Sequence, residues 1–144
     1  MGTASTITST DVDTTRSRSL RRAAATGAVA ATAANVAVWA AGRAADVSFL
    51  VTPLAGEAAT QVGIVPVVLA TLIAFAVGMG LFALAARRSD RWARAVLAAG
   101  VLVAVASTGG PLSAAEDTST GMLLAAMHLL TGAAFAITAS RPRR

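Results

Sequence analysis

Four long apolar segments constrain the fold of this chain more than any other feature. Each has about 20 residues, which is enough for a helix to cross a hydrocarbon core of about 30 Å. Only 13% of the 144 residues are charged, about half the share typical of a soluble domain. The sequence therefore predicts an all-α fold, a transmembrane four-helix bundle. Its spans are residues 23–42, 64–86, 93–112 and 121–139.

The four segments differ in strength. Residues 64–86 carry no charge, whereas residues 23–42 are dominated by alanine and include the polar Asn35. A basic start and small residues at its end make the first segment similar to a secretory signal peptide, but its length exceeds the usual apolar core of about 7–15 residues. We expect it to be retained; cleavage would leave three spans in the same orientation. Residues 1–19, rich in Ser and Thr, are predicted to be a disordered tail before a membrane domain of residues 20–144.

The arginines predict the orientation. The chain has no lysine, and eleven of its twelve arginines fall on one side of the predicted bundle. The loops on the other side contain one arginine, Arg43, and four carboxylates. By the positive-inside rule, both termini and the middle turn are cytoplasmic in a multi-pass protein of the bacterial inner membrane. Because these arginines adjoin apolar segments, anionic lipid headgroups are a simpler partner than nucleic acid. They are Arg16, Arg18, Arg21, Arg22, Arg87, Arg88, Arg91, Arg94, Arg141, Arg143 and Arg144.

Small residues recur four positions apart within the spans. Examples are Ala74 with Gly78, Gly100 with Ala104, and Gly132 with Ala136. In lipid, where the hydrophobic drive between helices is lost, small residues allow the close backbone approach that holds helices together. The spacing predicts a tightly packed bundle.

Three polar side chains are predicted to share one intramembrane layer, where they would form a hydrogen-bonded cluster that faces away from lipid. Counted from the ends of their spans, Asn35, Ser107 and His128 lie at similar depths in the outer half of the bundle. A polar group at such a depth is costly and marks a candidate functional site. His128 has two interpretations: a structural hydrogen bond to a carbonyl or to Asn35, which we favour, or a titrating, ligand-binding or metal-binding role.

The end of the third span carries a candidate helix break at Gly109, Gly110 and Pro111. We interpret it as a helix terminator at the outer face, with a broken helix lining a cavity as the alternative. The sequence from Ser113 to Glu116 fits a capping box of a short outer helix. Asp117 or Thr118 is predicted to cap the fourth span.

Catalysis and cofactors have little support in the sequence. The absence of cysteine excludes thiolate chemistry, and the spans contain no acidic residue to join the single histidine in a metal site or a proton relay. We therefore expect neither an enzyme nor a cofactor. The favoured function is an accessory or packing subunit that associates with itself or with another membrane protein. The alternative is a small transporter or ligand-binding protein with a pocket around His128.

The order of these features resembles a known family. The relevant pieces are the alanine-rich span ending at Trp39, the span ending at Arg87 and Arg88, Ser107 with the Gly-Pro-Leu at 110–112, and the Met-His-Leu at 127–129. Over residues 20–144 the chain is similar to small four-span membrane proteins of high-GC Gram-positive bacteria that are catalogued as a domain of unknown function. The resemblance implies the four-span fold and no particular activity. Trp92 departs from it, because it stands beside the arginines instead of within the third span.

Overall fold

Four long helices make up most of the chain in residues 9–53 and 57–141, which the computed structural model describes. They are α1 (Ser9–Ala44), α2 (Ile64–Arg88), α3 (Asp90–Ala106) and α5 (Thr118–Ser140); a short helix, α4 (Gly109–Ala114), follows α3. The strands β1 (Leu50–Val51) and β2 (Thr60–Gln61) form an antiparallel hairpin between α1 and α2. The predicted all-α class is confirmed. Four segments are long and apolar enough to cross a membrane: Arg21–Ala44, Ile64–Arg88, Asp90–Ala114 and Thr118–Ser140.

Helix α1 begins earlier than the sequence predicted. It starts at Ser9 and not at residue 23, so residues 9–19 of the predicted tail are helical. Composition rules treat a segment in isolation, whereas adding a residue to an existing helix avoids the cost of nucleation. Residues 1–8 of the predicted tail lie outside the described residues, as do Arg143 and Arg144.

The helices alternate in direction, so the chain has two distinct ends. At one, the arginine end, the α2–α3 turn at Ser89 lies with Arg21, Arg22 and Arg141. Ser89 has an extended backbone, and its hydroxyl accepts a hydrogen bond from Trp92 N, which starts α3 directly after α2. At the other, the cap end, lie the hairpin and the segment from Ser107 to Asp117. We call the hairpin and this segment together the cap. The side of the membrane that each end faces stays a prediction.

Helix α5 packs against both α1 and α3, and glycines allow these close approaches. A Cβ added at Gly132 would lie 2.3 Å from Ala104 Cβ, and one added at Gly100 would lie 2.5 Å from the ring of Phe135. Phe135 is buried and meets Phe82 edge to face, with ring centroids 6.4 Å apart. The predicted close packing is confirmed at these positions.

The third span is broken earlier than predicted. Helix α3 ends at Ala106, and Gly109, Gly110 and Pro111 lie inside α4 rather than ending the span. Proline lacks the N–H that would bond the carbonyl four residues before it, and its ring clashes with that carbonyl. The affected carbonyl is that of Ser107, which accepts instead from Gly110 N at 3.3 Å. The break therefore falls at Ser107 and Thr108, directly before the predicted Gly109, Gly110 and Pro111, and these three residues begin α4.

The cap is joined to the bundle by hydrogen bonds and one buried ring. Thr52 N donates to Ala114 O at 2.8 Å, so the hairpin is tied to the end of α4. Phe49 is fully buried despite a φ of 53°, a backbone conformation that is costly for a bulky residue. Its N–H donates to Thr120 Oγ1 at 3.0 Å, and Trp39 Nε1 donates to Val62 O at 3.0 Å. These contacts fix the hairpin over the cap end.

Candidate binding cleft

A cleft of about 810 Å³ lies between α2 and α3, with α5 behind it and the cap at one end. From α2 its lining runs from Pro66 to Leu81, from α3 it runs from Val96 to Ala104, and Ser107 follows directly after α3. Volumes of about 300–1,000 Å³ with mostly apolar walls and a few polar groups are typical of small-molecule sites. The cleft is therefore the candidate functional site of the described structure.

The rims of the cleft are apolar and exposed. Val77 and Leu81 on α2 and Val103 on α3 line the cleft and also expose more than half of their surface. All three belong to helices that are long and apolar enough to cross a membrane. The opening between α2 and α3 therefore faces sideways from the bundle, whereas the cap covers its end through Val51, Pro53 and Ala114.

Asn35 lies in the floor of the cleft and connects three helices. It is 2% exposed, and its Nδ2 donates to Thr71 Oγ1 on α2 at 2.8 Å and to Thr131 Oγ1 on α5 at 2.9 Å. Each threonine hydroxyl donates in turn to its own helix, Thr71 to Val67 O at 2.7 Å and Thr131 to Met127 O at 2.9 Å. Because both hydroxyl hydrogens are used in this way, the threonine oxygens act as acceptors and fix the orientation of the amide.

Two buried polar atoms on α1 remain without a hydrogen-bond partner within the described residues, the amide oxygen Oδ1 of Asn35 and the hydroxyl Oγ1 of Thr32. Buried polar atoms without a partner are uncommon in native structures and often mark functional sites. Of these two residues only Asn35 lines the cleft, so its floor contains one incompletely satisfied amide.

His128 lines the cleft from α5 with one ring nitrogen engaged. Its Nδ1 lies 2.8 Å from Leu124 O. A carbonyl can only accept, so Nδ1 carries the hydrogen, and in the neutral imidazole Nε2 is then a bare acceptor. Within the described residues Nε2 has no hydrogen-bond partner. The structural interpretation of His128 therefore accounts for one nitrogen, and the other is available to a ligand.

Ser107 lines the cleft at the break between α3 and α4. Its hydroxyl donates to Ala104 O at 3.0 Å. It therefore offers only acceptor lone pairs to the cleft. Because this bond uses its only hydrogen, Ser107 does not donate to His128, and within the described residues the two do not form the nucleophile–base pair that nucleophilic catalysis requires.

The structure places Asn35, Ser107 and His128 around one cleft but does not join them to one another by hydrogen bonds. The partners of Asn35 are Thr71 and Thr131, which sequence reasoning missed. The only feature of the sequence that marks these two threonines is that each is a polar residue inside an apolar span. A threonine hydroxyl in a helix can donate to a carbonyl of the preceding turn of the same helix. The amino-acid sequence therefore does not show that its oxygen also accepts a hydrogen bond from another helix.

Asp117 organises the cap next to the cleft. Ser48 Oγ donates to its Oδ2 at 2.7 Å, Thr120 N donates to its Oδ1 at 2.8 Å, and Thr120 Oγ1 donates to its Oδ2 at 2.8 Å. These bonds, chiefly the one from Ser48, lower the pKa of Asp117 below its usual value. The predicted cap of the fourth span is confirmed at Asp117. The predicted capping box at Ser113 is wrong, because α4 ends at Ala114 and the Ser113 hydroxyl donates back to Gly110 O.

Charged residues lie away from the cleft. Among the described residues, the polar ones that line it are Asn35, Thr71, Ser107, His128 and Thr131, and none of the lining residues is an arginine. At the arginine end, Arg87, Arg88, Arg91 and Arg94 are all exposed. In residues 9–53 and 57–141, no group of three or more His, Cys, Asp or Glu side chains is placed to hold a metal ion.

Comparison with known proteins assigns the chain to a family. Searches of curated proteins and of solved structures returned no match. The sequence model of DUF6069, described as a family of unknown function, matches residues 15–144 and thus most of the chain. The resemblance to a family without an assigned activity is therefore confirmed, and the chain belongs to DUF6069.

Proposed function

We propose that this chain is an integral membrane protein that binds a membrane-soluble amphiphile in the cleft between α2 and α3. The observation that carries the proposal is the cleft itself, with apolar exposed rims on two candidate spans and polar residues toward the cap. An apolar chain entering sideways from the bilayer would contact α2 and α3, and its head would meet Ser107 and His128. This is the ligand-binding function that the sequence left as the alternative.

The arginines support an orientation for this proposal. With Arg87, Arg88, Arg91 and Arg94 at the α2–α3 turn, the arginine end lies in the cytoplasm beside anionic headgroups. Both termini are then cytoplasmic, and the cap lies on the outer side of the inner membrane. The polar part of the cleft is accordingly in the outer half of the bilayer.

Binding or transport fits the described side chains better than catalysis does. His128 bonds a backbone carbonyl, and the Ser107 hydroxyl bonds Ala104 O, so within the described residues no acid, base and nucleophile are assembled. An accessory subunit that packs with a partner helix is the other candidate from the sequence.

The proposal is tested by filling the cleft. Ala74 lines it and is exposed, whereas Ala76 is exposed on the same helix but does not line it. The full chain is reconstituted with two photoreactive probes that carry a diazirine in the apolar chain, a phosphatidylcholine and a long-chain alcohol. Labelled peptides are then mapped by mass spectrometry.

We expect at least one probe to label cleft-lining residues. Ala74→Phe should lose most of this label, and the matched Ala76→Phe should keep it. Label distributed evenly over all exposed apolar faces, or label in the cleft that Ala74→Phe leaves unchanged, would refute the proposed function.

A further inference from the structure

Each polar side chain that lines the cleft in the described structure donates its hydrogens to acceptors within the protein. The amide of Asn35 donates to Thr71 and Thr131, and both threonine hydroxyls donate to their own helix. The hydroxyl of Ser107 donates to Ala104 O, and Nδ1–H of His128 donates to Leu124 O. These five residues are the polar side chains that line the cleft in the described structure. The cleft therefore has no side-chain donor to offer a ligand.

Acceptors remain on two of the same residues. In the neutral ring, Nε2 of His128 has a free lone pair, and Oγ of Ser107 has lone pairs that accept nothing within the described residues. His128 is exposed and Ser107 is half-buried, so both can be reached from the cleft. Asn35 Oδ1 is a further acceptor without a partner, but it is buried beneath the cleft surface.

From this asymmetry we infer that the cleft selects neutral amphiphiles whose head group is a hydroxyl, that is, lipid alcohols. This inference rests on the proposed function and names its ligand class. A hydroxyl hydrogen can be donated to His128 Nε2 or Ser107 Oγ, which satisfies a donor that would otherwise be costly to place in an apolar site. A carbonyl or an ether finds no side-chain donor there. A carboxylate or phosphate would also lack a cation, because no arginine lines the cleft.

The test compares ligands that differ only in this hydrogen. The full chain in phosphatidylcholine nanodiscs is labelled at pH 8 with a diazirine-bearing hexadecanol. Competition is measured with hexadecan-1-ol, its methyl ether and hexadecanoate. One net hydrogen bond of about 0.5–1.5 kcal/mol corresponds to about a twofold to tenfold difference in affinity. We expect the alcohol to compete better than the ether by this factor, and hexadecanoate to compete no better than the ether.

Variants assign the preference to the two acceptors. The alcohol-over-ether ratio should fall toward one in His128→Leu, in Ser107→Ala or in the double variant, whereas affinity for the ether should change little. Met122→Leu is the matched control, because Met122 is exposed on α5 and does not line the cleft. The ligand comparison in the unmodified chain is informative by itself if a variant fails to fold.

The outcomes separate this inference from the proposed function. Three results would overturn the choice of lipid alcohols. They are equal competition by the alcohol and the ether in the unmodified chain, competition by hexadecanoate that is stronger than that by the ether, and an alcohol-over-ether preference that survives in the double variant. Ala74→Phe would still block labelling in those cases. If neither probe labels the cleft at all, the proposed function fails as well.

Discussion

Replacing Gly132 by alanine tests how closely α3 and α5 approach one another. The added Cβ would lie 2.3 Å from Ala104 Cβ, whereas ordinary contacts between carbon atoms are about 3.5–4.0 Å. The two helices must therefore separate by more than about 1 Å at this crossing. Overpacking of this kind typically costs about 1–3 kcal/mol. Replacing glycine by alanine inside a helix stabilises that helix by about 1 kcal/mol, which offsets part of this cost.

Gly80→Ala is the matched control, because nothing lies within 4 Å of the Cβ it would add. It should gain helix propensity without a clash. We therefore expect Gly132→Ala to unfold with a free energy about 1–3 kcal/mol lower than Gly80→Ala. Both are measured by titrating SDS into mild-detergent micelles while far-UV circular dichroism is recorded.

A residue swap isolates the contact further. In the double variant Gly132→Ala with Ala104→Gly, the clashing Cβ is gone, and the nearest remaining atom of residue 104 is its Cα at 3.8 Å from the new Cβ. Because helix propensity is conserved overall, the free energy of unfolding should return close to that of the unmodified chain. Equal stability of Gly132→Ala and Gly80→Ala, or a swap that fails to restore stability, would refute the proposed contact between α3 and α5.

Three further predictions concern other parts of the molecule. Asn35→Leu removes two interhelical hydrogen bonds at about 0.6 kcal/mol each, so the free energy of unfolding in SDS titration should fall by about 1 kcal/mol, and an unchanged value would contradict the network. Because the folded-state pKa of Asp117 is lowered, its ionised form stabilises the cap above the unfolded pKa of about 3.9, and this contribution is lost as pH falls through the lower folded value. Thermal unfolding between pH 6 and pH 3 should therefore depend on pH less steeply in Asp117→Asn, and equal slopes would count against the hydrogen bonds. A reporter active only in the cytoplasm should work when fused after Arg144 or inserted at Ser89 and fail at Glu116; activity at Glu116 would contradict the predicted orientation.

The sequence was informative where one residue or one segment decides the outcome alone. Transfer to hydrocarbon depends on the composition of each segment, so the four candidate spans were predictable within a few residues. Asp117 was predictable as a cap because its side chain bonds the helix that begins beside it. The break in the third span has a local cause too. Pro111 disrupts the hydrogen bond to the carbonyl of Ser107, four residues before it, so the break lies before the Gly-Gly-Pro sequence and not within it.

The tertiary structure alone decided which polar groups meet and which stay available. Asn35 pairs with Thr71 and Thr131 because α2 and α5 both pack against α1 at that level, and no spacing in the sequence encodes that crossing. The cleft likewise exists because α2 and α3 leave space beside α5, a consequence of how three helices cross. Hydrogen bonds within and between the helices then use every donor of the polar side chains that line it in the described structure. His128 presents an acceptor to the cleft because its Nδ1 donates to the carbonyl of Leu124, one turn away, while the ring lines the cleft. Only the folded chain shows both features.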